Sequence, residues 1–257
     1  MRKPMIAANW KMHMTSAEAG SYVTDLIKRV KDISRTEIVL CPPFTALGTV
    51  DQMIAHSNIK LGAQNMYPAE KGAITGEISP LMLKDIGCSY VILGHSERRS
   101  IFGETDEDVN KKARMAMECR LLPIICIGET LEQKKAGDTE RVIASQLKGC
   151  LTGIGDMEGV VIAYEPVWAI SGGDPDIKPA TPEEAQKIHS RIRSVIQEIY
   201  DKDTAESVLI LYGGSMKPEN AADLLAQPDI DGGLVGSASL KPESFEPIIT
   251  AAEKSQE

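Results

Sequence analysis

A closed (β/α)8 barrel, of the α/β class and forming a single domain over residues 1–257, is the architecture that this sequence predicts. Three observations lead to it. Short apolar runs alternate with helix-like segments along the whole chain. None of these runs alternates cleanly between apolar and polar residues, as expected of parallel strands buried on both faces. The polar groups suited to chemistry stand at the ends of the first, fourth, sixth, seventh and eighth runs. In an open sheet of sequential order, strands about 4.8 Å apart would leave the first and eighth roughly 34 Å from each other. Closure brings all those ends to one mouth.

The runs are Met5 to Ala8, Ile38 to Leu40, Ile59 to Ala63, Tyr90 to Leu93, Leu122 to Cys126, Val160 to Ala163, Val208 to Leu211 and Gly233 to Val235. The helices between them carry start signals. Thr15-Ser16-Ala17-Glu18 has capping-box spacing, and Tyr22, Leu26, Ile27 and Val30 follow at helical intervals. Thr105-Asp106-Glu107-Asp108 opens a segment with Val109, Ala113 and Met117 on one face. Thr181-Pro182-Glu183-Glu184 adds a proline at the first helical position, ahead of Ile188, Ile192, Val195 and Ile199. Phe245, Ile248, Ile249 and Ala252 mark a last amphipathic helix. These stripes are core faces. No linker, low-complexity tract or charge block divides the chain.

Composition narrows the function. A formal charge of −9 argues against a general nucleic-acid or acidic-membrane surface, so neither partner is expected. It also means that an anionic substrate needs a local device to overcome the global field. Cys41, Cys88, Cys119, Cys126 and Cys150 are scattered and form no C-x-x-C pair, as expected of reduced thiols in an intracellular protein. His13, His56, His95 and His189 are not paired in sequence, so no metal site is expected. The apolar run after Met1-Arg2-Lys3-Pro4 is broken by Asn9 and Lys11 and is too short for a signal peptide. No segment reaches the length of a membrane span, and a cytoplasmic location is the expectation. No G-x-G-x-x-G follows the first strand and no G-x-x-x-x-G-K-[ST] occurs, so no nucleotide cofactor is expected.

The chemistry concentrates at strand ends. Tyr164-Glu165-Pro166-Val167-Trp168-Ala169-Ile170 follows the sixth run and leads into Ser171-Gly172-Gly173, placing one carboxylate ahead of an apolar, glycine-ended loop. Pro166 stiffens the segment that carries Glu165, and Val167 to Gly173 suits a cover that expels water on closing. Equally, Trp168 could be core filling and Glu165 half of an ion pair. Lys11, just beyond the first strand, is a cation that burial would oblige to find a partner, and Asn9 beside it can donate to a substrate oxygen or to strand-end backbone. His95 precedes Ser96 to Phe102, which reads as one short helix; the positive helix end disfavours imidazolium and leaves a neutral ring able to polarise a carbonyl. Glu97 pairs with Arg98 or Lys11, or takes part in proton transfer. Tyr212-Gly213-Gly214-Ser215 and Gly236-Ser237 follow the seventh and eighth strands, where barrels place phosphate-binding backbone. Cys126, with no histidine adjoining it, reads as packing.

Ala8-Asn9-Trp10-Lys11-Met12, Gly94-His95-Ser96-Glu97-Arg98-Arg99, Ala163 to Ile170 and Tyr212-Gly213-Gly214-Ser215 together resemble the triosephosphate isomerase family, in order and with nearly its spacing, from Ile6 to about Ala252. The resemblance implies a TIM barrel that interconverts dihydroxyacetone phosphate and D-glyceraldehyde 3-phosphate, a step of glycolysis and gluconeogenesis, without cofactor or metal. It further implies that Glu165 moves a proton between carbons, that His95 works on the oxygens of an enediolate, and that Lys11 and Asn9 stabilise its charge. Backbone at Ser171, Ser215, Gly236 and Ser237 would hold the phosphate beneath the lid. Gln64-Asn65 with Gly72 to Glu77 resembles the family's dimer loop, which implies a homodimer with Thr75 reaching the partner.

The chain departs from the family pattern in places. Ser171-Gly172-Gly173 is followed by Asp174-Pro175-Asp176-Ile177 before Lys178, where the family usually has Gly-Thr-Gly-Lys, so Asp174 to Ile177 reads as an insertion at the second lid hinge. Ser171 and Ser237 stand where glycine is usual, and His13 where asparagine is common. These departures leave room for an isomerase of a four-carbon sugar phosphate, or for a phosphate-binding relative without catalysis.

Overall fold

The computed structural model describes residues 2–170 and 179–255. Parallel strands β1 (Met5–Asn9), β2 (Glu37–Cys41), β3 (Ile59–Ala63), β4 (Tyr90–Leu93), β5 (Leu122–Ile127), β6 (Val161–Tyr164), β7 (Leu209–Tyr212) and β8 (Gly232–Val235) pair in sequence order and close on themselves. Expected and observed strands coincide for β3 and β4. The others shift or lengthen by a residue or two, because ladder pairing continues past the apolar run: Asn9 lies opposite Cys41, and Tyr164 lies opposite both Ile127 and Tyr212. At the seam Met5 pairs with Gly232, whose φ is 148°. A Cβ there would lie 1.9 Å from the Met5 carbonyl oxygen, so closure of β8 onto β1 requires glycine.

Around the barrel run α1 (Ser16–Val30), α2 (Leu47–Ile54), α3 (Pro80–Asp85), α4 (Ser96–Phe102), α5 (Asp106–Glu118), α6 (Leu131–Lys135), α7 (Thr139–Leu151), α8 (Pro182–Ile199), α9 (Lys202–Ser207), α10 (Pro218–Leu225) and α11 (Pro242–Lys254). Capping boxes form as the spacing predicts at Thr15 with Glu18 and Thr181 with Glu184, and a further one forms at Thr105 with Asp108. Each such cap contributes about 1 kcal/mol. Of the expected stripes, Tyr22, Leu26, Val30, Val109, Ala113, Ile192, Val195 and Phe245 are buried. Ile27, Met117 and Ile199 lie at the stripe edges and are only half-buried.

The strands contribute to two cores, which is why they do not alternate. Met5 and Ala7 join Val39, Ile92, Ile124 and Leu211 inside the barrel, whereas Ile6 and Ala8 pack outward against the helices. Both faces bury apolar area at roughly 25 cal/mol per Å². All five cysteines are free thiols. Among the described residues, no helix is long and apolar enough to cross a membrane.

Candidate active site

The carboxyl ends of the strands open onto one cleft, lined among others by Asn9, Lys11, His95, Glu165, Ser215 and Gly236. Residues separated by more than 200 positions thus meet, as ring closure requires.

Glu165 follows β6 and is 2% exposed. Its Oε1 lies 2.8 Å from His95 Nε2, and its Oε2 accepts the Ser96 N–H at 2.8 Å. His95 is the cap residue of α4, and its Nδ1 accepts the Glu97 N–H at 3.2 Å. Nδ1 therefore presents a lone pair, so Nε2 carries the ring hydrogen and donates it to Glu165. Burial favours the neutral forms of both groups, but their mutual contact outweighs it. The proton affinity of His95 is raised and that of Glu165 lowered.

Lys11 takes a left-handed backbone conformation, φ 52°, and its N–H donates to Asn9 Oδ1 at 3.0 Å. The Gln64 amide donates to the carbonyls of Lys11 and Cys41, both at 2.9 Å, holding the first strand end in place. Lys11 Nζ pairs with Glu97 Oε1 at 2.6 Å, settling which cation Glu97 takes. A Cβ on Gly236 would lie 3.6 Å from Lys11 Cε, so the lysine runs alongside the turn after β8. Ser237 continues that turn and lines the cleft with it, as do Gly213, Gly214 and Ser215 after β7.

Pro166, with φ −63°, is followed by a 3₁₀ turn over Val167–Ala169 rather than an irregular loop. Ala169 is buried, while Val167, Trp168 and Ile170 are half-buried. Glu129, only 1% exposed, binds this hinge: it accepts Trp168 Nε1–H at 2.8 Å and Tyr164 O–H at 3.1 Å, and its carbonyl accepts the Val167 N–H at 3.1 Å. Lys134 Nζ sits 3.1 Å from the centroid of the Trp168 ring. The Ser215 N–H donates to the Ala169 carbonyl at 3.1 Å, joining the 3₁₀ turn to the turn after β7. Ser171, Gly172, Gly173 and the insertion from Asp174 to Ile177 lie outside the described residues.

Two supports escaped the sequence reading. Gln146, on α7, brackets Gly128 with paired amide bonds of 2.7 and 3.1 Å, and Glu129 anchors Trp168 in the segment after β6. The signal for Glu129 was its place in Gly128-Glu129-Thr130, directly after a strand, where the glycine marks close backbone approach. Cys126 is buried inside the barrel as packing, and burial with the nearby Glu165 pushes its thiol well up. Thr75 is exposed, away from the cleft lining. Among the described residues, no cluster of three His, Cys, Asp or Glu side chains is placed to hold a metal ion.

The sequence has counterparts in known proteins. Residues 4–252 match the sequence profile of the triosephosphate isomerase family. The chain is 50% identical over 251 residues to the triosephosphate isomerase of Roseiflexus sp. (strain RS-1), covering 97% of both chains. It is 51% identical over 251 residues to that of Carboxydothermus hydrogenoformans, covering 97% of this chain and 98% of the other. Against the protein of the same name from Thermoanaerobacter sp. (strain X514) the identity is 52% over 251 residues, covering 97% and 99%. With the profile spanning nearly the whole chain and relatives matched end to end at half identity, the chain belongs to the triosephosphate isomerase family.

Proposed function

We infer that Glu165 and His95 share one proton-transfer cycle, through which this chain interconverts dihydroxyacetone phosphate and D-glyceraldehyde 3-phosphate. The activity is that of an intramolecular aldose-ketose isomerase serving glycolysis and gluconeogenesis. Glu165 takes a proton from the carbon beside the carbonyl, which gives an enediolate, and returns it to the neighbouring carbon. His95 donates its Nε2–H to the substrate oxygens and exchanges the proton between them. The single observation that carries this reading is the 2.8 Å contact of Glu165 Oε1 with His95 Nε2 inside the cleft. A carbon base and an oxygen acid that touch at rest can flank one small substrate.

The remaining roles follow from position. Lys11 and Asn9 stabilise charge on the oxygens, with Glu97 orienting the lysine. Ser215, Gly236 and Ser237, with Ser171, receive the phosphate. Pro166 to Ile170, with Gly172 and Gly173, form the lid that keeps water from an enediolate prone to lose phosphate.

The working unit is a homodimer in the cytoplasm. Met12 is 95% exposed, Ile101 70% and Phe102 66%, and Ile74 beside Thr75 is also exposed. Large apolar side chains of this kind favour a protein partner over water. A coupled isomerase assay, together with proton exchange between solvent and dihydroxyacetone phosphate, tests the reaction. Turnover without exchange would exclude Glu165 as a base in contact with solvent.

A further inference from the structure

Gln146 is a polar residue in the barrel-facing stripe of α7, with Val142 and Ile143 one turn before it and Cys150 one turn after it, all three buried. A half-buried amide in such a stripe needs partners, and it finds both on one residue beyond β5. Its Oε1 accepts the Gly128 N–H at 2.7 Å, and its Nε2 donates to the Gly128 carbonyl at 3.1 Å. The helix that presents it is closely docked: a Cβ on Gly149 would lie 2.8 Å from Asp106 Cβ on α5.

Three successive carbonyls at the end of β5 have different tasks. That of Cys126 accepts the Arg99 guanidinium at 3.2 Å, that of Ile127 accepts the Glu165 N–H at 2.7 Å, and that of Gly128 accepts the Gln146 amide. The backbone bond that carries Glu165 is therefore flanked by two side-chain clamps. Gly128 also abuts Glu165 directly, its Cβ position being 1.8 Å from the Glu165 carbonyl oxygen. The clamps differ in reach. Arg99 donates at 2.8 Å to the Gly94 carbonyl as well, next to His95, whereas the paired bonds of Gln146 both end on Gly128.

We propose that Gln146 is a positioning residue for the isomerisation: by clamping the N–H and the carbonyl of Gly128, it fixes the strand end from which the Glu165 backbone hangs and so sets where the carboxylate meets the substrate carbon. The proposal rests on the isomerase reading above, in which Glu165 is the base. Transfer of a carbon-bound proton is sensitive to small displacements of the acceptor, so the effect falls on the chemical step rather than on capture.

The test uses Gln146→Met and Gln146→Glu, both close to glutamine in size. Methionine removes both bonds, and the second carboxylate oxygen of glutamate would face the Gly128 carbonyl, acceptor against acceptor. Each variant is expected to keep its circular dichroism spectrum and to lose roughly 3- to 30-fold in kcat, with KM and inhibition by inorganic phosphate within about threefold. The primary deuterium isotope effect on kcat, with dihydroxyacetone phosphate labelled at the carbon that gives up its proton, should grow, whereas mere loss of folded protein would leave it unchanged. Gly128 also adjoins Glu129, the partner of Trp168, and double variants separate the two routes. Gln146→Met should cost less on a Glu165→Asp background than in the wild type, and its full factor on a Trp168→Phe background. Near-normal kcat, an unchanged isotope effect or the reverse pattern in the double variants overturns the role of Gln146 and leaves the isomerase reading standing. Absence of isomerase activity in the wild type overturns both.

Discussion

Gly128 and Glu165 meet backbone to backbone: a Cβ on Gly128 would lie 1.8 Å from the Glu165 carbonyl oxygen and 2.6 Å from its carbonyl carbon. The Glu165 N–H also donates to the Ile127 carbonyl at 2.7 Å, so Glu165 is positioned by the end of β5 as much as by its own strand. Gly128→Ala is expected to push the Glu165 backbone away by about an ångström. Such a displacement costs on the order of 100-fold in kcat. KM should move less than kcat, although Gly213 of the turn after β7 packs against the Glu165 side chain. Steady-state kinetics beside a circular dichroism spectrum of unchanged shape check this, and a variant with near-normal kcat contradicts it.

Glu165→Asp withdraws the carboxylate by one methylene while keeping its charge. The contacts at Ser96 N–H and His95 Nε2 are both 2.8 Å and leave no slack for a shorter side chain. Turnover should fall about 100-fold or more, and inhibition by inorganic phosphate should be nearly unchanged. Equal losses in turnover and phosphate binding would point to a collapsed site instead.

Glu129 and Trp168 tie down the segment that the proposed mechanism uses as a lid. Glu129→Gln weakens a charge-assisted bond to the indole, and Trp168→Phe removes its donor. Each change alone should lower kcat/KM several-fold. The double variant should be little worse than either, with a coupling of about 1–2 kcal/mol. Strict additivity would mean that the 2.8 Å bond has no part in lid behaviour.

The barrel was legible because its cause is local. Short runs rich in β-branched residues such as Val91, Ile92 and Leu93, bounded by turn residues, fit two-faced strands, and Thr15, Thr105 and Thr181 announce their helices by capping chemistry. The meeting of Asn9, His95 and Glu165 in one cleft was legible for a related reason: they are polar residues abutting apolar strands. What the sequence did not disclose is pairing across space. Nothing near Glu129 names Trp168, nothing near Gln146 names Gly128, and nothing near Gln64 names the Lys11 and Cys41 carbonyls that its amide holds. The strand ends at Glu37 and Tyr164 were likewise decided by partners in the neighbouring strand.

Assembly offers a separate test. Phe102 lies under the Arg98 guanidinium, 4.9 Å from it, and with Ile101 presents an apolar tip to solvent. Phe102→Asp should leave the barrel folded and shift sedimentation from dimer to monomer at micromolar protein, with activity falling in parallel. Sedimentation of the wild type as a monomer would remove the homodimer.

Buried His189 makes stability depend on pH in a direction that can be worked out. It lies on α8 between the rings of Tyr164 and Tyr212, at 5.8 and 6.4 Å, and its Nδ1 is 3.1 Å from the Asp229 carbonyl oxygen. That oxygen only accepts, so Nδ1 carries the hydrogen of a neutral ring. Burial, reinforced by Arg193 and opposed by the Asp229 carbonyl, lowers its pKa to about 4. An unfolded chain binds the proton near pH 6.5 and the native protein does not until about pH 4, so acid favours unfolding across that window. Stability should fall by roughly 3 kcal/mol as the pH drops from about 6.5 to 4, and this contribution should level off below. Urea unfolding at fixed protein concentration, run in parallel on His189→Gln, isolates the effect from titrating carboxylates. The wild type should show the steeper loss, and identical slopes would mean that the ring is protonated in the native state. Tyr164 and Tyr212 are followed directly by Glu165 and Gly213, so the same transition is expected to abolish activity as the β6 and β7 ends come apart.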